Sequence, residues 1–234
     1  MNSIKEETNL KNKKILLRHR RIWIRSEASD SIQFQGEYSH DVKQYVSNWL
    51  FEKKPLIGRS RNQFDTNNRE LIRAGLMTYH PDGTKCRVNL LINSNLVLKI
   101  EEPLLLLKAM EVLPPNVYLT VNNFFAHFNN FPIIARVYGS IMWSYEGNIS
   151  RLNPNSDIDL LIQLTNSCDV DALAERLLKF SQLSNIFFDG EFEFNNGIFI
   201  SWRELTSGAK DLLAKTDAGP KLVTRNSVIK IAHT

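Results

Sequence analysis

VYGSIMWSYEGNISRLNPNSDIDLLIQL, residues 137–164, reads as the end of a strand, a tight Gly-Ser turn, a short helix, a loop, and a second strand opening at Ser156-Asp157-Ile158-Asp159. Strand residues two apart share a face, so Asp157 and Asp159 point one way and Ile158, Leu160, Ile162 and Leu164 the other. Neighbouring carboxylates repel, and each raises the other's pKa. A fold tolerates such a pair most readily around a cation, and hard divalent ions such as Mg²⁺ are held by one or two carboxylates plus substrate phosphates. Upstream, Gly139-Ser140 stands where a strand turns into a helix, whose first N–H groups are open to a phosphate. A phosphate cradle and an acidic pair joined by a loop point to metal-assisted phosphoryl or nucleotidyl transfer.

Gly-Ser alone carries almost no information, and Asp-x-Asp alone also marks turns and solvated strand starts. The combination of an apolar strand, Gly-Ser, a spacer, and Ser-Asp-x-Asp entering a second apolar strand is more specific. It resembles the signature of the DNA polymerase β-like nucleotidyltransferase superfamily.

Outward from this stretch, the 234 residues suffice for one large domain or two small ones, and the 43% apolar content supports a packed core. Cys86 and Cys168 form neither a disulfide framework nor a zinc motif, which suits a reducing, cytoplasmic setting. The polar start MNSIKEETNLKNKK is no secretory signal, and no apolar run approaches the ~20 residues that span a bilayer. The net charge of +4 is unevenly spread: residues 1–114 carry 19 Lys and Arg against 13 Asp and Glu, and residues 115–234 carry 10 against 12. A basic half suits an anionic partner, although a solvated basic surface reads the same way.

In chain order, residues 15–24 are expected as a strand or short helix bearing the basic cluster Arg18-His19-Arg20-Arg21, read as surface with a structural histidine. Asp41 is expected to cap a helix over 42–52, and Pro55 to Arg61 to form a strand delivering Arg59 and Arg61 on one face. Strands are expected over 71–79 and 86–92 around a Pro81-Asp82-Gly83 turn, then a helix through LLLLKAMEVL. Pro114-Pro115 is taken as the boundary between a basic recognition domain, 1–114, and a catalytic domain, 115–234. Helices are expected over 117–131, with His127 structural, and over 169–183. The strand over 186–194 alternates, placing Asp189, Glu191 and Glu193 opposite Phe188, Phe192 and Phe194. Asp189 and Glu191 are both candidates for the third carboxylate that such transferases use, and Glu193 is expected in solvent. A returning strand follows over 198–202, then a helix over about 206–214 and a basic tail, KTDAGPKLVTR.

Further residues carry a second resemblance. Arg136-Val-Tyr-Gly139-Ser140, Ser156-Asp157-Ile-Asp159, Asp189-Gly190-Glu191, Ser201-Trp202-Arg203-Glu204-Leu205 and Lys215 resemble the phosphoribosyl-dephospho-CoA transferase family, the holo-acyl-carrier-protein synthases of malonate decarboxylase. Arg18-His19 before Trp23, Pro55-Leu56 leading to Arg59, and Lys85-Cys86-Arg87 extend it into the N-terminal half. Arg20 departs from the pattern, standing where an acidic residue is expected, and Cys86 interrupts a basic run.

The resemblance implies an α+β fold of two domains, the C-terminal one a nucleotidyltransferase-type mixed sheet with flanking helices. It also implies transfer of a prosthetic group from 2′-(5″-triphosphoribosyl)-3′-dephospho-CoA to a serine of the apo acyl-carrier subunit of malonate decarboxylase, releasing pyrophosphate. On that basis Asp157, Asp159 and Asp189 hold Mg²⁺, with Glu191 an alternative to Asp189, and Gly139, Ser140 and Ser156 hold phosphate. Arg203 and Lys215 offset charge on the leaving group. Arg59, Lys85 and Arg87 either grip the dephospho-CoA arm or steer an acidic carrier. Two rivals are another Mg²⁺-dependent nucleotidyltransferase and a non-catalytic nucleic-acid-binding module; no aromatics interleave with the basic residues as base stacking requires.

Overall fold

The computed structural model describes residues 17–25, 31–60, 70–80, 82–147, 152, 156–165, 167–194 and 197–232. Arg61, Pro81 and Asn196, and the expected features that rest on them, lie outside these residues. Two sheets organise the described chain, one built from residues 21–101 and the other from 104–224.

The first sheet is antiparallel and six-stranded, in the order β2-β5-β4-β3-β1-β6. Its strands are β1 (Arg21–Ile24), β2 (Gln33–Phe34), β3 (Leu56–Gly58), β4 (Leu71–Tyr79), β5 (Lys85–Asn93) and β6 (Val97–Glu101). The β4–β5 hairpin pairs Leu71 with Asn93 through to Tyr79 with Lys85, in the two segments expected as strands. Helix α1 (His40–Phe51) buries Val42, Val46, Trp49 and Leu50. Its N-cap is Ser39, whose hydroxyl accepts from the Val42 N–H, rather than the expected Asp41, which sits in the first turn.

The second sheet has seven strands in the order β13-β12-β11-β10-β9-β8-β7. These are β7 (Leu104–Leu105), β8 (Ile133–Val137), β9 (Ile158–Leu164), β10 (Phe188–Phe194), β11 (Ile198–Ser201), β12 (Asp211–Thr216) and β13 (Gly219–Thr224). Only β9 and β10 run parallel, joined through helix α5 (Val170–Leu183); every other neighbouring pair is antiparallel. The fold is therefore α+β with a mixed C-terminal sheet.

Helix α3 (Pro115–Phe128) begins at the double proline, with Pro115 in the first helical turn, where its missing N–H costs nothing. With α5 it covers one face of the second sheet. The Phe188 ring of β10 stacks on Phe124 at 5.7 Å and meets Phe180 edge-on at 5.2 Å. The carboxylates of β9 and β10 stand on the other face, towards the first sheet. Trp49 of α1 meets Trp143 of helix α4 (Gly139–Gly147) edge-on at 5.7 Å, joining the two sheets' cores.

Three further expectations fail. LLLLKAMEVL is not one helix: Leu104–Leu105 pairs with Val137 and Arg136 as an edge strand, and only Leu106–Ala109 (α2) is α-helical before a 3₁₀ turn. A run of four leucines offers no polar helical face, so backbone pairing and burial decide it. The helix expected over 206–214 does not form: α6 (Trp202–Leu205) ends before it, and Asp211–Thr216 is strand β12. Gly208 lies between them at φ +74°, and Leu212 and Ala214 are buried while Leu213 is exposed, which is the period of a strand. The presumed tail instead forms β13 and a last helix, α7 (Arg225–Ala232). Among the described residues, no helix is long and apolar enough to cross a membrane.

Candidate active site

Strand β8 ends at Val137, and Gly139 opens α4 in the left-handed region at φ +66°. A Cβ at Gly139 would stand 1.9 Å from Asp159 Oδ2, so a side chain is excluded by both conformation and space. The first turn of α4 therefore lies directly against the Asp159 carboxylate. Asp157 is exposed just before β9, and Asp159 is the second residue of that strand. The parallel register pairs Asp159 with Asp189 on β10. Burial first, then the charges of Asp157 and Asp189, push the Asp159 carboxyl up to about 7, against the opposing pull of Lys85 and Arg87.

Asp157 and Asp159 border a cleft of about 460 Å³ between the two sheets. The second sheet contributes Gly139, Ser140, Ser156, Asp157 and Asp159; the first contributes Arg18, Arg59, Lys85 and Arg87. Lys85 Nζ donates to Ser140 Oγ at 3.2 Å, so a lysine of one sheet touches the Gly-Ser turn of the other. Burial and the nearby charges of Arg73, Arg87 and Arg18 lower the pKa of Arg59, reflecting crowded positive charge. A larger cavity, about 700 Å³, lies between α3 and α5 beside His127 and Arg176, away from every carboxylate named above. His127 accepts from Arg176 Nε at 3.3 Å there.

Arg203, from α6, sends Nε to Asp189 Oδ1 at 3.3 Å and lies 4.4 Å over the Phe187 ring. Its Nη2 is buried without a hydrogen-bond partner among the described residues. Lys215 and Glu191 stand together, one turn of the pleat away from the Asp159–Asp189 pair. Glu191 Oε1 accepts from Lys215 Nζ at 2.6 Å and Arg18 Nη2 at 2.8 Å; Oε2 accepts from Arg18 Nε and the His19 ring, each at 3.2 Å. Burial pushes the Glu191 carboxyl up, but the His19 hydrogen bond and the Arg18 charge overcome it and hold the group well below the usual range. Burial lowers the His19 pKa, so the neutral ring donates its Nε2 proton to Glu191.

The basic cluster at 18–21 is not surface. Arg20 is buried and pairs with Glu193 and Glu102, and Arg21 pairs with Glu101 and Glu146. Glu193 is accordingly bound by Arg20 and Gln163, not solvated. Glu191 and Glu193, the partners of Arg18 and Arg20 on β10, each stand 173 positions away in sequence, so nothing local marks the cluster as an interface. Arg18 and His19 line the cleft although the sequence assigns them no place in the site: the resemblance includes them, but the dense basic run around them reads as surface.

The donor set of Asp157, Asp159 and Asp189 is all oxygen, anionic and crowded, which fits a hard divalent cation. Among the described residues no three acidic, His or Cys side chains already close around a point, and Asp189 is turned to Arg203. Such a set fits an ion completed by substrate phosphates better than a cage of protein ligands alone.

Residues 104–226 match the family described as "Phosphoribosyl-dephospho-CoA transferase MdcG C-terminal domain". A protein of Bradyrhizobium diazoefficiens named phosphoribosyl-dephospho-CoA transferase is 28% identical over 149 residues, which is 64% of this chain and 66% of that protein. A protein of the same name from Xanthomonas campestris pv. campestris (strain 8004) is 21% identical over 211 residues, 90% of this chain and 95% of its own length. Another, from Xanthomonas axonopodis pv. citri, is 22% identical over 208 residues, 89% and 94%. No solved structure matches the chain.

Proposed function

The chain belongs to the phosphoribosyl-dephospho-CoA transferase family, and from that premise we propose that it transfers the phosphoribosyl-dephospho-CoA group to a serine of the acyl-carrier subunit of malonate decarboxylase. The donor is 2′-(5″-triphosphoribosyl)-3′-dephospho-CoA. The serine oxygen forms a bond to the phosphorus nearest the ribose, the bond from that phosphorus to the next bridging oxygen breaks, and pyrophosphate leaves. The observation that carries this reading is the single cleft in which Asp157 and Asp159 face Arg59, Lys85 and Arg87. A transfer from a polyphosphate donor needs both halves at once.

Asp157, Asp159 and Asp189 would hold Mg²⁺, which, when bound, neutralises phosphate charge and lowers the pKa of an attacking hydroxyl. Asp189 is our choice for the third carboxylate, because its register puts it beside Asp159 while the Glu191 oxygens are already taken. The turn at Gly139-Ser140 receives the leaving phosphates on backbone N–H groups and the Ser140 hydroxyl, which Lys85 orients. Arg59, Lys85 and Arg87 bind the donor's anionic arm, so the basic half serves the donor first. The acceptor hydroxyl must approach opposite the leaving group. We put it on the Asp189 side, where the Asp189 carboxylate, paired with Arg203, can take its proton.

The test is intact-mass spectrometry of apo carrier after incubation with enzyme, Mg²⁺ and the donor, with Asp157→Asn in parallel. The expected result is a mass gain equal to the phosphoribosyl-dephospho-CoA group and release of one pyrophosphate per carrier, both absent with the variant. An unmodified carrier beside a folded enzyme would reject the reading, and labelling from a nucleoside triphosphate instead would replace it with another nucleotidyl transfer.

A further inference from the structure

Glu191 is a buried carboxylate with no acceptor position left. An ionised carboxylate offers about four lone-pair sites, and Arg18, His19 and Lys215 occupy the equivalent on both oxygens. It is therefore spent on protein cations rather than available to a metal. Two permanent positive charges meet one negative charge, so the cluster keeps a surplus cation in a site that is 3% exposed at Glu191. The surplus faces the cleft: Arg18 lines it, and among the described residues its Nη1 edge is engaged only by Ser60 Oγ, at 3.4 Å.

The chain invests several constraints in presenting Arg18. The Leu17 and Arg18 N–H groups donate to the Asp217 carboxylate in the β12–β13 turn. His19 takes the left-handed conformation, φ +64°, unusual for a residue with a side chain, and its ring stacks on Tyr138 at 4.0 Å. A Cβ at Gly58 would fall 1.9 Å from the Leu17 carbonyl oxygen, so the turn also needs a glycine beneath it. A residue held from three elements, with one guanidinium edge directed into a cavity already lined by Arg59, Lys85 and Arg87, is built to meet an anion.

We propose that Arg18 is a donor-binding residue that contacts the polyphosphate, and that Glu191 is a positioning residue that fixes the Arg18 guanidinium while Lys215 offsets the Glu191 charge. This deepens the function proposed above, since the donor is taken to carry a triphosphate, but its test does not require the transfer reaction.

The experiment is calorimetric titration of the full chain with inorganic tripolyphosphate, without added metal, for wild type, Arg18→Ala, Arg18→Lys, Glu191→Gln and the double variant Arg18→Ala/Glu191→Gln. We expect Arg18→Ala and Glu191→Gln each to weaken binding about tenfold, as loss of a charge-assisted contact does. The double variant should be no weaker than Arg18→Ala, because Glu191 acts through Arg18. Arg18→Lys, which keeps the charge, should fall between wild type and Arg18→Ala and keeps the test open if Glu191→Gln fails to fold. In transfer assays the Glu191→Gln defect should appear in the donor KM, with the Mg²⁺ concentration for half activity unchanged. Unaltered tripolyphosphate binding in Arg18→Ala, independent effects that multiply in the double variant, or a Mg²⁺ requirement shifted in Glu191→Gln as in Asp189→Asn would each overturn the proposal. Wild type that binds tripolyphosphate through Arg18 yet leaves the carrier unmodified would reject only the function proposed above.

Discussion

Asp189 and Glu191 stand two residues apart on one face of β10, yet their surroundings are opposite. At Asp189 the seam between β9 and β10 gathers negative charge: Asp159 is its register partner and Asp157 lies near, with Arg203 at the edge. At Glu191 positive charge gathers from Arg18 and Lys215, with the neutral His19 ring donating beside them. The first cluster is short of a cation and the second is closed. Side-chain type does not decide a carboxylate's part; the charges that tertiary structure brings to it do.

The comparison breaks most visibly at Asp159. Asp159→Asn is expected to cut carrier modification roughly a thousandfold, as loss of a main electrostatic contact in a transfer site does. Its thermal midpoint without divalent ions should equal or exceed that of wild type, because one of three crowded negative charges is gone. A midpoint several degrees lower would mean that Asp159 serves the fold instead. Chelation with EDTA should stop transfer to a similar extent and Mg²⁺ should restore it. Added Mg²⁺ should also raise the wild-type midpoint and leave that of Asp159→Asn unmoved; an equal rise in both would place the ion elsewhere.

Gly139→Ala comes next. The added methyl meets Asp159 Oδ2 and φ is +66°, so we expect about a hundredfold loss of transfer and roughly 1–3 kcal/mol of strain. Normal turnover by this variant would show that the turn need not hold its shape. Glu191→Gln should move stability in the direction opposite to Asp159→Asn, losing about 3 kcal/mol in urea unfolding, because Arg18 and Lys215 then lack a buried counter-charge. The smallest effect is expected at Arg20, whose partners Glu193 and Glu102 line neither cluster. Arg20→Met should alter activity less than threefold while shifting the unfolding midpoint, and a large loss of activity would extend the catalytic cluster to the Glu193 end of β10.

Much of this architecture was legible residue by residue. The alternation in β10 separated its phenylalanines from its acids, and Gly139-Ser140 with Asp157 and Asp159 identified the strand–helix turn and the strand beside it. Failures came where local pattern was ambiguous. The segment over 206–214 has helix-compatible residues, and only burial of Leu212 and Ala214 against the sheet makes its end, from Asp211, a strand. Arg20, in a place where an acid is expected, reads as an anomaly until Glu193 is seen beside it, balancing the buried charge.

By itself the sequence determined what depends on neighbours along the chain: which residues share a strand face, where a glycine lets a strand turn into a helix, and that two aspartates would crowd. Tertiary structure alone decided which acids remain available and which are spent. Glu191 meets a histidine 172 positions away and an arginine 173 positions away, and the Gly-Ser turn meets a lysine 55 positions away. Face alternation is a short-range property of the backbone. The charge felt by a buried group is a sum over everything packed around it, and that sum exists only once the two sheets have closed on each other.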